Sequence, residues 1–236
     1  MEILKKLIKK PELVRVYSHP RSGTHFLEAF IAQNFYRKKD LNIPNVKWGH
    51  WSNRKEKLEG NPYGKLFGNH YFANQNINTK PKIYIIRDAR AVAYSVWKTN
   101  NFIHKDLDGI SFSDFLRTKI DWKGSPSNAV EPDCNILEHW VLHTESWLKL
   151  AKSDTNLLVI HYEDLVDLPY EQYLKIHSRF FSRSKKLKED KIDKVKKPLG
   201  LLPNKGTKDS WREVFGQEDE AYFFSIVPEK LHFRKV

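Results

Sequence analysis

Four short apolar runs punctuate the chain. Leu13 to Ser18 (LVRVYS), Lys82 to Arg87 (KIYIIR) and Asn156 to Tyr162 (NLLVIHY) are dense in β-branched and aromatic side chains, and Gly64 to Asn69 (GKLFGN) is a weaker run of the same kind. Runs of this length and composition read as buried strands. Helical patterns alternate with them. Thr24 to Arg37 carries Phe26, Leu27, Phe30, Ile31 and Phe35, and Ala89 to Lys98 follows the second strong strand directly. Ile136 to Lys152 is a long amphipathic segment with Trp140, Leu148 and Leu150, and Tyr170 to Phe181 follows the last strand. This alternation predicts an α/β fold whose central parallel sheet is covered on both faces. Ligands in such folds sit at the carboxyl ends of the strands, where loops turn into helices. Asn42 to Tyr63 and Asn100 to Asn135 read as long loops or short helices, a class of segment that often covers a site.

Composition narrows the picture. A hydrophobic fraction of 40% with 14 Phe, 10 Tyr and 7 Trp supplies a substantial core, and 236 residues suit one domain spanning 1–236. The formal net charge of +12 favours anionic partners without choosing among phosphates, nucleic acid and an acidic membrane. The single cysteine, Cys134, excludes an intrachain disulfide framework and fits a reducing compartment. No run approaches the roughly 20 apolar residues that span a bilayer. Lysines interrupt the first residues, MEILKKLIKKPELV, where a signal peptide would need an apolar stretch. The expectation is a cytoplasmic, unprocessed enzyme. The charged run Ser182 to Lys197 mixes both signs and reads as a solvated surface.

Two strand–helix junctions carry the candidate chemistry. In the first, Pro20 and Gly23 shape a tight turn, and Ser22, Gly23, Thr24 and His25 offer backbone N–H groups at a helix start. Unpaired N–H groups and the helix dipole make such a terminus an anion site. The Thr24 hydroxyl adds a donor and Arg21 a fixed positive charge. The loop lacks the G-x-x-x-x-G-K-[ST] pattern of a Walker A motif. By itself it also reads as a capped helix after a strand. In the second junction Arg87 ends a strand, Asp88 caps the next helix, and Ser95 follows eight residues after Arg87. Arg87 and Ser95 can then converge on one phosphate; the alternative pairs Arg87 with Asp88 and leaves Ser95 on the helix surface.

Together the junctions resemble the sulfotransferases that use 3′-phosphoadenosine-5′-phosphosulfate (PAPS). That family's 5′-phosphosulfate loop reads like Y-P-K-S-G-T-T-W, and this chain has Ser18-His19-Pro20-Arg21-Ser22-Gly23-Thr24-His25-Phe26. Arg87 and Ser95 match the spacing of its 3′-phosphate motif, Tyr162-Glu163-Asp164-Leu165 is similar to its Y-E-D-L, and Lys205-Gly206 with Trp211 and Phe215 is similar to its C-terminal R-K-G-x-x-G-D-W-x-x-x-F. The four elements occur in order between Val14 and Phe215. The resemblance implies a P-loop-like three-layer α/β/α fold that binds PAPS without a metal, sulfates a small-molecule acceptor and releases the desulfated nucleotide PAP. Neither nucleic acid nor a membrane is an expected partner, and oligomeric state is not readable.

By the same resemblance, Arg21, Ser22, Gly23, Thr24 and His25 hold the 5′-phosphosulfate, and Arg87, Ser95, Lys205 and Gly206 hold the 3′-phosphate. Phe26 stacks on adenine, and Tyr162 hydrogen-bonds it. The family places its catalytic histidine between the first and second junctions, which points to His70 as the base, with Arg21 stabilising the leaving group; His50, His19 and His104 are weaker candidates for the base. The chain departs from the pattern with Arg21 for Lys, His25 for the second Thr, Gly68 where a Lys precedes the histidine by two residues, Asn204 for Arg, and Asp209-Ser210 for Gly-Asp. Lys65 is a possible substitute for the missing lysine. The Ser-Phe segment that lines the family's adenine pocket has no counterpart. Trp48, Trp51 and Trp97 stand as either acceptor-pocket or core residues. Two other readings stay open: a P-loop-like small-molecule kinase using ATP and Mg²⁺, and a basic nucleotide- or nucleic-acid-binding protein without catalysis.

Overall fold

The computed structural model describes residues 14–36, 68–73, 80–99, 107–120, 133–195 and 208–232. Its frame is a four-stranded, all-parallel sheet of β1 (Arg15–Ser18), β2 (Gly68–Asn69), β3 (Lys82–Ile86) and β4 (Leu157–His161), in the order β2-β1-β3-β4. Helices α1 (Thr24–Phe35), α2 (Ala89–Trp97), α3 (Phe112–Arg117), α4 (Ile136–Ala151), α5 (Tyr162–Asp167), α6 (Pro169–Phe180) and α7 (Gln217–Ile226) complete the framework.

Side-chain alternation along the strands divides the core into two layers. Tyr17, Tyr84 and Ile86 face one way, into a cluster with Val92, Phe115, Trp140 and Trp147 from α2, α3 and α4. Val16, Ile83 and Ile85 face the other way, against Leu27, Phe30 and Ile31 of α1 and Tyr173 and Ile176 of α6. The register sets Tyr17 opposite Tyr84, and both rings pack on the buried Trp147 indole, at centroid distances of 4.7 and 5.1 Å. Each large side chain buried this way stabilises the fold by about 1.5–3 kcal/mol. All five residues of β3 are buried, as expected of a strand covered on both faces. The three-layer α/β/α arrangement expected from the sequence is therefore present.

Boundaries differ from the sequence reading in three places. β3 stops at Ile86, so Arg87 stands just beyond the strand. The last strand stops at His161, and Tyr162 opens α5 without an intervening loop. The stretch Asn100–Asn135 includes α3, whose Ser111 cap accepts from the Asp114 N–H and nucleates a helix too short to show in periodicity. Trp97 packs on Phe112 at 5.3 Å and donates its indole N–H to the Ile110 carbonyl at 2.9 Å, which makes it part of the core rather than a pocket wall. No described helix is long and apolar enough to cross a membrane.

Candidate active site

The turn from His19 to Gly23 joins β1 to α1 at the carboxyl end of the sheet. Arg21 has φ 67° and Gly23 has φ 91°. For a non-glycine residue this left-handed conformation costs about 1–3 kcal/mol and persists only where the surroundings hold it. Arg87 supplies such a hold by donating Nη1–H to the Arg21 carbonyl at 3.0 Å. Glycine is required at position 23 on a second ground. A Cβ there would lie 2.3 Å from Cδ2 of Tyr162, whose ring lies against the turn.

The turn uses the Ser22 N–H internally, donating it to the His19 carbonyl at 3.2 Å. What Ser22 offers instead is its hydroxyl, which is fully buried and has no hydrogen-bond partner among the described residues. Such a group costs about 1–3 kcal/mol until something binds it. Helix α1 also lacks a side-chain cap, whereas Asp88 caps α2 and Asn135 caps α4 with a full capping box. The first-turn N–H groups of α1 and the Ser22 hydroxyl together fit an anion.

Positive charge converges on the same turn. Arg21 donates Nε–H to Ser95 Oγ at 2.9 Å, so residues from both junctions meet. Burial and the neighbouring Arg87 guanidinium push the Arg21 pKa down to about 10. Burial also lowers that of Arg87, against the opposing pull of Tyr162, Glu163 and Asp88. Two desolvated guanidiniums side by side are destabilised by their own charge, and an anion between them relieves both. The Arg87 guanidinium lies 4.8 Å from the centre of the Tyr162 ring, and Phe26 meets that ring edge-on at 5.6 Å. The two residues expected around adenine are thus neighbours.

Asp88 pairs with Arg90 rather than Arg87. It accepts the Arg90 N–H at 2.8 Å as the α2 cap and binds the Arg90 side chain through both oxygens, at 3.0 and 2.6 Å. The Arg90 guanidinium lies 4.3 Å from the centre of the Trp211 ring and 4.9 Å from that of Phe223, which fixes the C-terminal segment beside the second junction. The Asp88 N–H donates to Glu163 Oε1 at 3.1 Å, tying the chain just beyond β3 to the start of α5 after β4. Lys205 and Gly206, with Asn204, Lys65, Trp48, Trp51, His50 and His104, lie outside the described residues.

His70 follows β2 and is buried against the first junction. Its Nδ1 is 3.0 Å from the Ser18 carbonyl oxygen. A carbonyl only accepts, so Nδ1 carries the proton and Nε2 is the acceptor nitrogen. Ser18 Oγ lies 3.3 Å from the same Nδ1 and 2.5 Å from Thr24 Oγ1, linking the histidine to the start of α1.

Sequence reasoning missed what supports this residue. His143 on α4 donates Nε2–H to the His70 carbonyl at 3.2 Å and accepts the Tyr84 hydroxyl on Nδ1 at 2.8 Å. His19 bonds the Pro20 carbonyl through Nδ1 at 3.0 Å and meets His139 Nδ1 through Nε2 at 2.9 Å. Burial, and then the neighbouring histidines, hold His19 and His143 well below the ordinary imidazole range, so both are neutral. The available signal was His139 and His143 spaced i, i+4 on the helix that carries Trp140 and Trp147, which places them on its buried side.

The family model for the sulfotransferase domain matches residues 11–225. The chain belongs to the sulfotransferase family. No curated protein sequence gives a match. Among solved structures, this sulfotransferase-family chain is similar to mouse sulfotransferase SULT7A1 complexed with PAP, at 18% identity and a TM-score of 0.57, over 90% of this chain and 82% of that one. It is also similar to retinol dehydratase in complex with androsterone and PAP, at 17% identity and a TM-score of 0.58, over 94% and 81% of the two chains. A second retinol dehydratase structure, with retinol and PAP, gives 17% identity and a TM-score of 0.56 over 98% and 84%. At these identities the likeness is one of fold, and it agrees with the P-loop-like sheet described above.

Proposed function

We propose that this sulfotransferase, a single domain over residues 1–236 and cytoplasmic, moves a sulfuryl group from PAPS to a hydroxyl or amine of a small-molecule acceptor and releases PAP. The observation that carries this reading is the convergence of two mutually repelling guanidiniums, half-buried Arg21 and buried Arg87, on a turn whose Ser22 hydroxyl is buried without a hydrogen-bond partner among the described residues. A doubly phosphorylated donor brings negative charge to both junctions.

In this mechanism the first-turn N–H groups of α1 and the Ser22 and Thr24 hydroxyls bind the 5′ end, with Gly23 giving the backbone room to approach. Arg21 stabilises the charge that develops on the departing phosphate oxygen. Preorganised donors at such a point commonly supply about 10²–10³ in rate. Arg87 and Ser95, joined by Lys205 and Gly206, bind the 3′-phosphate. Phe26 and Tyr162 hold the adenine. His70, with its proton fixed on Nδ1 by the Ser18 carbonyl, takes the acceptor's proton on Nε2.

Calorimetric titration with PAP, using ATP as the control and no added metal, tests the reading. Tight PAP binding with weak ATP binding is expected, followed by turnover of labelled PAPS in a screen of phenols, alcohols and amines. Absent PAP binding overturns the donor assignment, and tight Mg²⁺-dependent ATP binding favours a kinase.

A further inference from the structure

Ser18 closes β1 and is fully buried, and sulfuryl transfer as described gives it no task. Its side chain stands between two groups that do have one. Ser18 Oγ is 2.5 Å from Thr24 Oγ1 at the start of α1 and 3.3 Å from His70 Nδ1 after β2. The Ser18 carbonyl oxygen is 3.0 Å from the same Nδ1. Thr24 and His70 are also buried, so the three residues form a line of hydrogen bonds away from solvent.

The carbonyl fixes the direction of that line. It only accepts, so His70 Nδ1 carries a hydrogen and offers no lone pair to the Ser18 hydroxyl. The Nδ1 hydrogen is shared between the Ser18 carbonyl and, at longer range, Ser18 Oγ. The Ser18 hydrogen then has one acceptor among the described residues, Thr24 Oγ1. Thr24 receives that bond, so its own hydrogen points away from Ser18, and no described residue accepts it. A buried donor left in this state costs about 1–3 kcal/mol. It stands at the first residue of α1, two places after the buried Ser22 hydroxyl, where the turn fits an anion.

We propose that Ser18 is a positioning residue that couples the donor to the base: it turns the Thr24 hydrogen towards the 5′-phosphosulfate and, by accepting from His70 Nδ1, makes His70 Nε2 a stronger base once the donor is bound. The inference rests on the donor reading and goes beyond it, since that reading treats the phosphate loop and the base as separate parts. The physical ground is cooperativity. An anion that accepts from Thr24 leaves Thr24 Oγ1 more negative, which strengthens the bond from Ser18, and Ser18 Oγ in turn holds the Nδ1 hydrogen more firmly. An imidazole whose Nδ1–H is held more firmly takes a proton more readily on Nε2. No proton travels along the line. The acceptor substrate's oxygen or nitrogen bonds to sulfur as the bond from sulfur to the 5′-phosphate oxygen breaks. The electron pair stays on that phosphate oxygen, and the substrate's proton goes to Nε2.

Other titratable or charged groups stand around His70. His143 on α4 bonds its carbonyl, and His19 in the turn lies close enough to oppose its charge; burial holds both neutral. His139 on α4 and Tyr84 on β3 stand behind these two, bonded to His19 and His143. Arg21 and His25 flank Ser22, Gly23 and Thr24, and Arg87 holds the Arg21 carbonyl. None of them bonds Ser18 Oγ, so the effect of that hydroxyl is separable from theirs.

The experiment follows the His70 ring by NMR in the full-length protein from pH 5.5 to 8.5, with and without saturating PAP, its resonance assigned by its loss in His70→Gln. PAP should raise the His70 pKa by about one pH unit in the wild type. Direct attraction to the phosphates raises it in every variant, so the coupling is read in the difference. Ser18→Ala should lose about half of the rise or more, while weakening PAP binding by no more than about tenfold. Ser18→Thr, which keeps the hydroxyl, should retain the rise. Thr24→Val should lose what Ser18→Ala loses, with nothing further lost in the double variant. An equal rise in the wild type and Ser18→Ala overturns the proposal, as does a rise that Ser18→Thr fails to keep. Should Ser18→Ala not fold, a full rise in Thr24→Val overturns it. PAP that binds the wild type without moving the His70 pKa overturns the coupling and leaves the donor reading standing. PAP that binds at no pH overturns the donor reading itself, and this inference with it.

Discussion

Arg21 and Ser95 are 74 residues apart and joined by a 2.9 Å hydrogen bond from guanidinium to hydroxyl. One comes from the turn after β1 and the other from α2, so the two expected phosphate subsites are coupled before a donor arrives. Arg21→Ala should lower kcat by about 10²–10³ while weakening PAP binding less, because its charge matters most as the leaving group forms. Ser95→Ala should do the reverse and weaken PAP binding about tenfold, the scale of one hydrogen bond to a charged group. A double-mutant cycle on PAP affinity checks the coupling. Strictly additive effects would show that the bond contributes nothing to donor binding.

Gly23 is confined by its φ of 91° and by the Tyr162 ring. Gly23→Ala should therefore destabilise by about 2 kcal/mol or more, combining backbone strain with a contact no side chain tolerates. For a chain of this size that lowers Tm by roughly 4–8 °C, and PAP binding should be lost with the shape of the turn. Tyr162→Ala in the same background should restore part of the Tm, since it removes the collision but leaves the strain. An unchanged Tm in Gly23→Ala would contradict the packing of Tyr162 on the turn.

The strong strands and the helices that follow them were legible because burial on both faces demands apolar runs, and Ile83–Ile86 meets that demand after Lys82, whose buried ammonium pairs with Asp154. The meeting of Arg21, Arg87 and Ser95 was legible in outline from motif order. Their actual bonds were not, since the sequence cannot say that Arg87 holds the Arg21 carbonyl or that Asp88 turns to Arg90. The histidine set beneath the turn was hidden for the same reason. His19, His70, and the α4 pair His139 and His143 come from three places in the chain, and only the packing of α4 against the sheet brings them together. The burial of Glu28 was not legible either, because local periodicity does not reveal which side of α1 is covered.

His70 offers the clearest separation of binding from chemistry. Its ring is fixed through Nδ1 to the Ser18 carbonyl, and its backbone carbonyl is held by His143. His70→Ala should keep PAP binding and lose about 10²–10⁴ in kcat, the usual contribution of a positioned base. His143→Gln should lower kcat less, because it acts by placing His70 rather than by accepting a proton. Near-normal turnover in His70→Ala removes the residue from the mechanism.

His19 and His143 also make folding depend on pH, with a defined sign. Their folded-state pKa values lie well below the ordinary imidazole value, so near pH 6 and below the unfolded chain binds protons that the native state refuses. Stability from these residues is present in full above about pH 6.5 and is lost as pH falls below it. Each contributes a slope of up to about 1.4 kcal/mol per pH unit until its native ring protonates. Urea unfolding at pH 7.5, 6.5 and 5.5 should show nearly constant stability over the first interval and a steep loss over the second. His143→Gln keeps a neutral hydrogen-bonding side chain that cannot titrate, so it should be less stable at pH 7.5 but show a shallower acid slope. A variant with the wild-type slope would mean that His143 accepts a proton in the native state, and the Tyr84 hydroxyl would then no longer find an acceptor on its Nδ1.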